Sequence, residues 1–454
     1  MYLYRTKVGV KFIDKIGTKY KKAISVFGFL GVISGYFMMS TMVYFLYKLI
    51  YVYLFKPEIV QAIKVPPIMP LIPYVPELFN ISFLPPFYFT YWIIAISVIA
   101  IFHEFAHGIV ARRYDIPIKT TGFGFLGPFL AAFVEPDEKI MQKKPKYQQI
   151  AVLSAGTFTN LILAVVFFLL LFLFFKFSYA PAGAIFNTYT PEIVNISDIQ
   201  MINNVVIYDF NRNNFANIVN SNNVKDDFVL GTNGNYLNLT KIKANNKTYY
   251  ITLSDLKKQL SENLEVVVLY KDLPAINLGM QGAIIEFDNK KIKTYEDLAI
   301  AMKNNKPGYK VLIKTSYENK IFEYNVILAE DSSEKGKAVI GIGYIDTNNG
   351  KILSKIFDLF NFFKKPATVY EPVFNYDLII FIYNLLWWLA LINLSVALIN
   401  MWPVAIFDGG RMFMLTIWGI TRSEKFAQMT FKVLTYIILG SLLLLMVGWV
   451  MAIF

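Results

Sequence analysis

The chain has 454 residues, 56% of them hydrophobic and 17% aromatic, with a positive mean hydropathy; this excludes an ordinary water-soluble globule and indicates an integral membrane protein. A formal net charge of +12 does not argue for nucleic acid, because the lysines and arginines cluster beside apolar runs, where positive charge sets membrane orientation and meets anionic lipid. There is no cysteine, so disulfides and thiolate metal sites are excluded, and any metal must be held by the only two histidines together with oxygen ligands.

Residues 1–22 are a basic segment with seven lysines and arginines. The apolar run after it exceeds a signal-peptide core and lacks a small-residue cleavage site, so it is expected to stay attached as a first span. Five stretches reach the ~20 residues that a helix needs to cross a bilayer: 23–54, 87–111, 150–175, 376–400 and 427–453. Basic residues alternate by side around them. The N-terminal tail, the segment 112–148 with Arg112, Arg113, Lys119, Lys139, Lys143, Lys144 and Lys146, and the turn with Arg411, Arg422 and Lys425 are expected to be cytoplasmic. The same parity puts the Pro-rich loop 56–86 and the polar region 181–365 on the outer face. Four Asn-x-Ser/Thr sequons, at Asn80, Asn195, Asn238 and Asn246, fall in these exterior segments and read as chance in an asparagine-rich chain.

The expected organisation follows. Residues 23–175 hold transmembrane helices 1–3 with a cytoplasmic β/loop insert at 112–148, and 376–454 hold the C-terminal helices. In the polar region, "GAIIEFDNKKIKTYEDLAIAMKN" reads as a strand, an Asp-Asn turn, a short strand and an amphipathic helix with Leu298, Ala301 and Met302 on one face. After Pro307-Gly308 come two alternating runs that predict a hairpin. This order over 271–348 resembles a PDZ domain of the type found in membrane-bound proteases. Residues 181–270, with strand-like "KTYYITL" and "LEVVVLY", read as a degenerate module of the same kind or as an α+β domain of no particular family. The fold class is thus a polytopic α-helical membrane protein of about five to six transmembrane helices with an inserted α+β, PDZ-like extracytoplasmic region.

Both histidines lie in "IFHEFAHGIV", inside the second span. His103, Glu104 and His107 form H-E-x-x-H, in which imidazoles at i and i+4 project from one helical face and can grip one metal ion. Glu104 sits where it can take a proton from a water that the metal activates. A pair of hydrogen-bonded core histidines is the bland alternative, but it leaves an unpaired Glu104 in a span at a cost of about 3 kcal/mol. A transporter or proton relay is the functional rival, and it does not require this spacing. Residues Phe87–Phe102 cover about 24 Å at about 1.5 Å per residue, and Arg112 follows His107 by about 8 Å. The site is therefore expected inside the bilayer, near its cytoplasmic face.

A catalytic zinc usually takes three protein ligands, so one carboxylate must come from elsewhere. The candidate is Asp408 in "NMWPVAIFDGG", which follows a span that descends to the same side. An N-cap on the next helix is its structural alternative. In "LSAGTFTNLIL", Gly156 permits close helix approach and Asn160 places an amide on the same face four residues on. Two readings of Asn160 stand: helix–helix glue, or a group that holds substrate backbone or the oxyanion. The acidic "FVEPDE", with Glu135, Asp137 and Glu138, reads as a solvated turn near the entrance.

These residues together resemble the site-2 proteases, a family of intramembrane zinc metalloproteases. "HEFAH" supplies the first signature, and Asn400, Pro403, Asp408 and Gly409 meet N-x-x-P-x-x-x-x-D-G in full. The family's A-G-P-x-x-N element is matched as Ala155, Gly156 and Asn160, with Thr157 in place of proline, and Phe407 replaces the usual leucine. The insert, "RTKVGVKFIDKIGTKYKK" and "AAFVEPDEKI" resemble archaeal-type members. The resemblance implies Zn2+ held by His103, His107 and Asp408, Glu104 as the catalytic carboxylate, and Asn160 and Asn400 positioning substrate or transition state. It also implies a multi-pass protein of the cell membrane with a cytoplasmic N-terminus, whose partners are a substrate transmembrane helix and the lipid bilayer, with no nucleic acid. The PDZ-like insert is expected to act as a size filter or to bind a peptide or free C-terminus by strand addition. The alternatives are a proteolytically inactive membrane scaffold and an ion-coupled transporter; no inverted hydropathy repeat of the kind transporters carry is visible.

Overall fold

A computed structural model describes residues 2–56, 60, 66–79, 84–126, 129–207, 212–221, 224–232, 235–262, 264–318, 320–345 and 361–453. The sequon at Asn80 lies outside the described residues, as do the last three residues of the expected 271–348 module. The chain divides into two compact units, Met1–Lys176 with Asn375–Phe454, and Phe177–Phe374.

In the first unit, β1 (Tyr2–Thr6) leads into α1 (Val8–Lys19) and α2 (Lys21–Phe55), followed by α3 (Phe89–Arg113). Next come β2 (Ile118–Leu126), β3 (Phe129–Pro136), α4 (Glu138–Lys143) and α5 (Lys146–Ser178). The unit's second segment holds α6 (Tyr376–Asn400), α7 (Asp408–Thr421) and α8 (Glu424–Ile453). The helices α2, α3, α5, α6 and α8 are long and apolar enough to cross a membrane, and they fall on the five expected stretches. Their outward residues are apolar, with Phe37, Leu169, Leu443, Leu444 and Met451 all exposed, as helices facing lipid require.

Within the basic segment 1–22, expected only as a charged tail, Tyr2–Thr6 form a strand and Val8–Lys19 a helix. Its strand β1 pairs antiparallel with β2, Tyr4 opposite Phe123, and β2 pairs with β3, giving the sheet order β1-β2-β3. In α1 the lysines lie outward while Ile13 and Gly17 are buried against α3. Arg112 Nε meets Asp14 Oδ1 at 2.5 Å, and Arg113 Nε donates to Ser25 Oγ at 2.7 Å, tying the end of α3 to α1 and α2. The helix stops where Asp115 takes a left-handed φ of 56° and Ile116 N donates back to Ala111 O, with Pro117 barring continuation. One core joins α1, α2, α3, α5, α6 and α7 through Ile13, Met38, Val110, Val152, Ala397 and Met412.

Among the described residues the second unit holds two large antiparallel sheets and two short two-stranded ones. One runs in the order Pro191–Asn195, Val266–Lys271, Lys247–Ile251, Asn235–Ala244, Ile199–Ile202, Val205–Val206, with a core around Ile199, Ile242, Leu256 and Leu269. The other runs Lys320–Ile327, Lys310–Tyr317, Ala283–Phe287, Tyr179–Ile185, Thr368–Pro372. The expected hairpin is the pair Lys310–Tyr317 and Lys320–Ile327, and its alternation buries Val311, Ile313 and Val326. Asp288 and Asn289 make the tight turn with φ of 48° and 63°, and the helix Tyr295–Lys303 starts on a capping box between Thr294 and Asp297. The sequence places 181–185 with the first module; in the structure these residues belong to the second sheet. The reason is that the strands entering and leaving the unit, Tyr179–Ile185 and Thr368–Pro372, pair with each other and close that sheet.

Candidate metal centre

His103 and His107 stand one turn apart on α3, with ring centroids 4.7 Å apart. Asp408 reaches them because α6 ends at Asn400 and the turn 401–407, which contains Pro403, redirects the chain before α7 begins. That turn is packed against the start of α7: a Cβ on Gly409 would fall 2.3 Å from Met401 O, and one on Gly410 2.1 Å from Val404 O. Only glycine permits this approach. Asp408 does not cap α7, whose N-cap is Phe407, so its carboxylate is free to turn inward. Asp408 Oδ2 lies 3.4 Å from Nε2 of both histidines, and the two Nε2 atoms are 3.0 Å apart.

This triangle fits a metal. Ligand bonds of about 2.0–2.2 Å at a tetrahedral angle of about 109° separate donor atoms by roughly 3.3–3.6 Å. The two histidine–aspartate distances, both 3.4 Å, fall in that window, and the histidine–histidine distance of 3.0 Å is shorter than its lower bound. Among the described residues this is the group of His, Asp and Glu side chains whose ligand atoms are close enough to share an ion. A second observation supports the fit. An added Cβ on Gly156 would lie 2.4 Å from His107 Nε2 and 2.6 Å from His103 Nε2, so α5 leaves open the space both imidazoles face. Gly156 was expected to permit close helix approach; what it approaches is the histidine pair.

The surrounding hydrogen bonds orient the ligands. His107 Nδ1 donates to Val152 O at 2.7 Å, which turns Nε2 toward the site. Asn160, fully buried, contacts His103 Nδ1 through its amide at 3.0 Å. Glu104 is half-buried, and its Oε2 accepts from Val134 N of β3 at 3.1 Å. The remaining candidate, Asn400, is the last residue of α6; among the described residues its side chain has no hydrogen bond to the histidines, Glu104 or Asp408. In "FVEPDE", Asp137 caps α4 by accepting from Ile140 N, and Glu138 meets Arg411 of α7 at 3.7 Å. The two backbone partners, Val152 O and Val134 N, carry no side-chain signal and so could not be read from the sequence.

The profile of peptidase family M50 matches residues 91–445, a span that takes in both histidines, Glu104, Asn160 and Asp408. The chain belongs to peptidase family M50. An uncharacterized protein of Methanocaldococcus jannaschii is 34% identical to this M50 chain over 169 residues, 36% of the chain and 40% of the relative. The match thus spans less than half of that relative's length.

Proposed function

We propose that this M50 chain is a zinc metalloendopeptidase of the site-2 protease type, cutting peptide bonds within transmembrane helices of other membrane proteins. The observation that carries this reading is the His103–His107–Asp408 triangle, with Glu104 beside it on the same helix. Zinc, when bound, supplies a Lewis acid that polarises the scissile carbonyl and makes water nucleophilic near neutral pH. Glu104 takes the proton of the attacking water and passes it to the leaving amine. Val134 N–H holds one of its oxygens, so the carboxylate is oriented before substrate arrives. Side-chain exposures of 22% for Asp408 and 14% for His107 leave water a route to the site.

The peptide groups of a transmembrane substrate are shielded by their own hydrogen bonds, so the helix must unwind before a carbonyl can enter; helix-breaking residues near the cut favour cleavage. The basic flanks favour a multi-pass protein of the cell membrane with its N-terminus and the site toward the cytoplasm and Phe177–Phe374 outside. We assign that unit a PDZ-like role, as a size filter or a reader of a substrate's free C-terminus. Strand addition in its second sheet would use an edge at Lys320–Ile327 or Thr368–Pro372, since Tyr179–Ile185 already covers Ala283–Phe287.

The test is paired. Purified protein is assayed for zinc and for cleavage of a single-span substrate in membranes, alongside Glu104→Gln. The expected result is one zinc per chain in both proteins, with cleavage lost only in the variant. A wild-type chain without zinc and inert toward such substrates would refute the reading in favour of a scaffold or transporter.

A further inference from the structure

An apolar groove of about 610 Å³ runs between α1, α2 and α3, walled by Phe12 and Ile16, by Phe27, and by Phe102, Phe105 and Ile109. Its volume lies in the range of an ordinary ligand pocket, about 300–1,000 Å³. Thr159 of α5 is the one polar residue that lines it, and that hydroxyl already donates to Ala155 O at 3.0 Å. Phe12 and Phe102 keep 52% and 50% of their surface exposed, so the groove opens outward. It does not face the metal centre. At about 100° per residue, Phe102, Phe105 and Ile109 lie about 200–260° round α3 from His103, on the side away from the histidine pair. A substrate helix seated here would have α3 between itself and the ligands, which argues for an occupant that is not cut.

The rim of the groove says what that occupant is. On α1, Lys15 and Lys19 stand one turn apart, each about 60° round the helix from a groove residue, Lys15 from Phe12 and Lys19 from Ile16. Ile13 and Gly17, on the other flank of Phe12 and Ile16, are buried against α3, so the lysines are on the open side. Both lysines are exposed, and neither has an ion-pair partner among the described residues; Asp14, the acidic residue of α1, is held by Arg112. Lys19 Nζ lies 5.2 Å from the centroid of the Tyr20 ring, which leaves its charge in place. Beside spanning helices, an open apolar groove takes up hydrocarbon in preference to water, and two ammonium groups on long flexible stems at its rim select a phosphate. We propose that the groove binds one anionic phospholipid, with an acyl chain against Phe12, Phe27 and Phe105 and the headgroup phosphate between Lys15 and Lys19. A zwitterionic headgroup carries its own cation beside the phosphate and gains less from the lysine pair. This site does not depend on the zinc reading.

In the test, full-length protein in detergent is titrated with phosphatidylglycerol or with phosphatidylcholine of identical acyl chains, and bound lipid is counted by native mass spectrometry. The wild type should hold a single phosphatidylglycerol at concentrations where phosphatidylcholine does not stay bound. A lysine near an anionic headgroup is worth about fivefold in affinity, so the double variant Lys15→Gln, Lys19→Gln should bind phosphatidylglycerol about 25-fold more weakly, with phosphatidylcholine unchanged. The double variant Lys425→Gln, Lys432→Gln removes the same charge from exposed positions of α8 and should bind as wild type does. Ala23→Trp, which fills the groove from the exposed start of α2, should weaken both lipids. Equal wild-type affinity for the two lipids, an unchanged preference in the Lys15 and Lys19 variant, the same loss in the Lys425 and Lys432 variant, or undiminished binding in Ala23→Trp would overturn the proposal. So would a photoreactive side chain introduced at Phe12 that cross-links in membranes to a second protein chain instead of to lipid.

Discussion

Gly156→Ala separates the metal site from the fold more cleanly than removal of any ligand. The added methyl would sit 2.4 Å from His107 Nε2, 2.6 Å from His103 Nε2 and 2.7 Å from His103 Cδ2, whereas ordinary contact begins at 3.4 Å. Both rings must therefore retreat by up to 1.0 Å, the difference between 3.4 and 2.4 Å. Metal sites tolerate only about 0.2 Å in ligand distance, and a displacement of about 1 Å in a reacting group costs on the order of a hundredfold in rate. Cleavage should fall about a hundredfold by that measure, and zinc affinity should fall with it. The fold should survive: overpacking costs about 1–3 kcal/mol, and alanine within a helix returns about 0.5–1 kcal/mol relative to glycine. The assay is zinc content after dialysis against a buffered free-zinc series, read with a thermal melt of the same sample. A Gly156→Ala protein that melts near wild type and holds zinc with wild-type affinity would refute the placement of the ion between α3, α5 and α7.

Asp408→Ala should lose bound zinc, and chelation of the wild type should abolish cleavage reversibly, with zinc restoring it; retention of one zinc per chain in Asp408→Ala would show another ligand. Val134→Pro removes the N–H that holds Glu104, and because this N–H points away from β2, proline should be tolerated in the edge strand. Hydrogen bonds to charged groups are worth about 1.5–3 kcal/mol, so cleavage should drop roughly tenfold or more at unchanged zinc affinity; unchanged cleavage would show that Glu104 is oriented otherwise. In the second unit, burial opposes ionisation of Glu192, but Lys271 and the Tyr249 hydroxyl outweigh it and hold the carboxyl below the ordinary glutamate range. With a depressed folded value, its stabilisation is present above the unfolded pKa of about 4.3 and is lost as the pH falls through the folded value. Thermal melts of the full chain should thus show Glu192→Gln with a shallower loss of stability on acidification; identical slopes would remove Glu192 from that account.

The parts of the site that were legible are those whose chemistry resides in side-chain identity at a fixed spacing. His103, Glu104 and His107 could be placed on one helix turn from the sequence alone, and Asp408 could be matched to them because a metal needs a further ligand and two spans lead to the same depth. Hydropathy gave the five long helices because a span needs some 20 apolar residues whatever packs around it. What stayed hidden depends on contacts distant in sequence. β1 exists because Tyr2–Thr6 finds β2 more than a hundred positions on, and the lysines of α1 obscured the Gly9, Ile13, Gly17 stripe on its inner face. Likewise, nothing in residues 179–185 says that their partners include a strand at 368–372.

The hidden sheet also answers a problem that a membrane site poses. In an apolar helix every interior N–H is already spent on its own backbone, while each carbonyl keeps a second lone pair. A polar side chain that donates can therefore be satisfied by a neighbouring helix, as His107 is by Val152 O on α5. A carboxylate cannot be satisfied by a helix backbone in this way, because it needs a donor and the interior N–H groups are spent. An unpaired carboxylate or an unpaired N–H in lipid each costs several kcal/mol. The open edge of a sheet supplies the missing donor, since its outward N–H groups are unused, and Val134 on the edge strand β3 meets Glu104 in this way. The three-stranded sheet beside α3 thus gives the Glu104 carboxylate a backbone donor within an otherwise apolar helix, and each unpaired group becomes the other's partner.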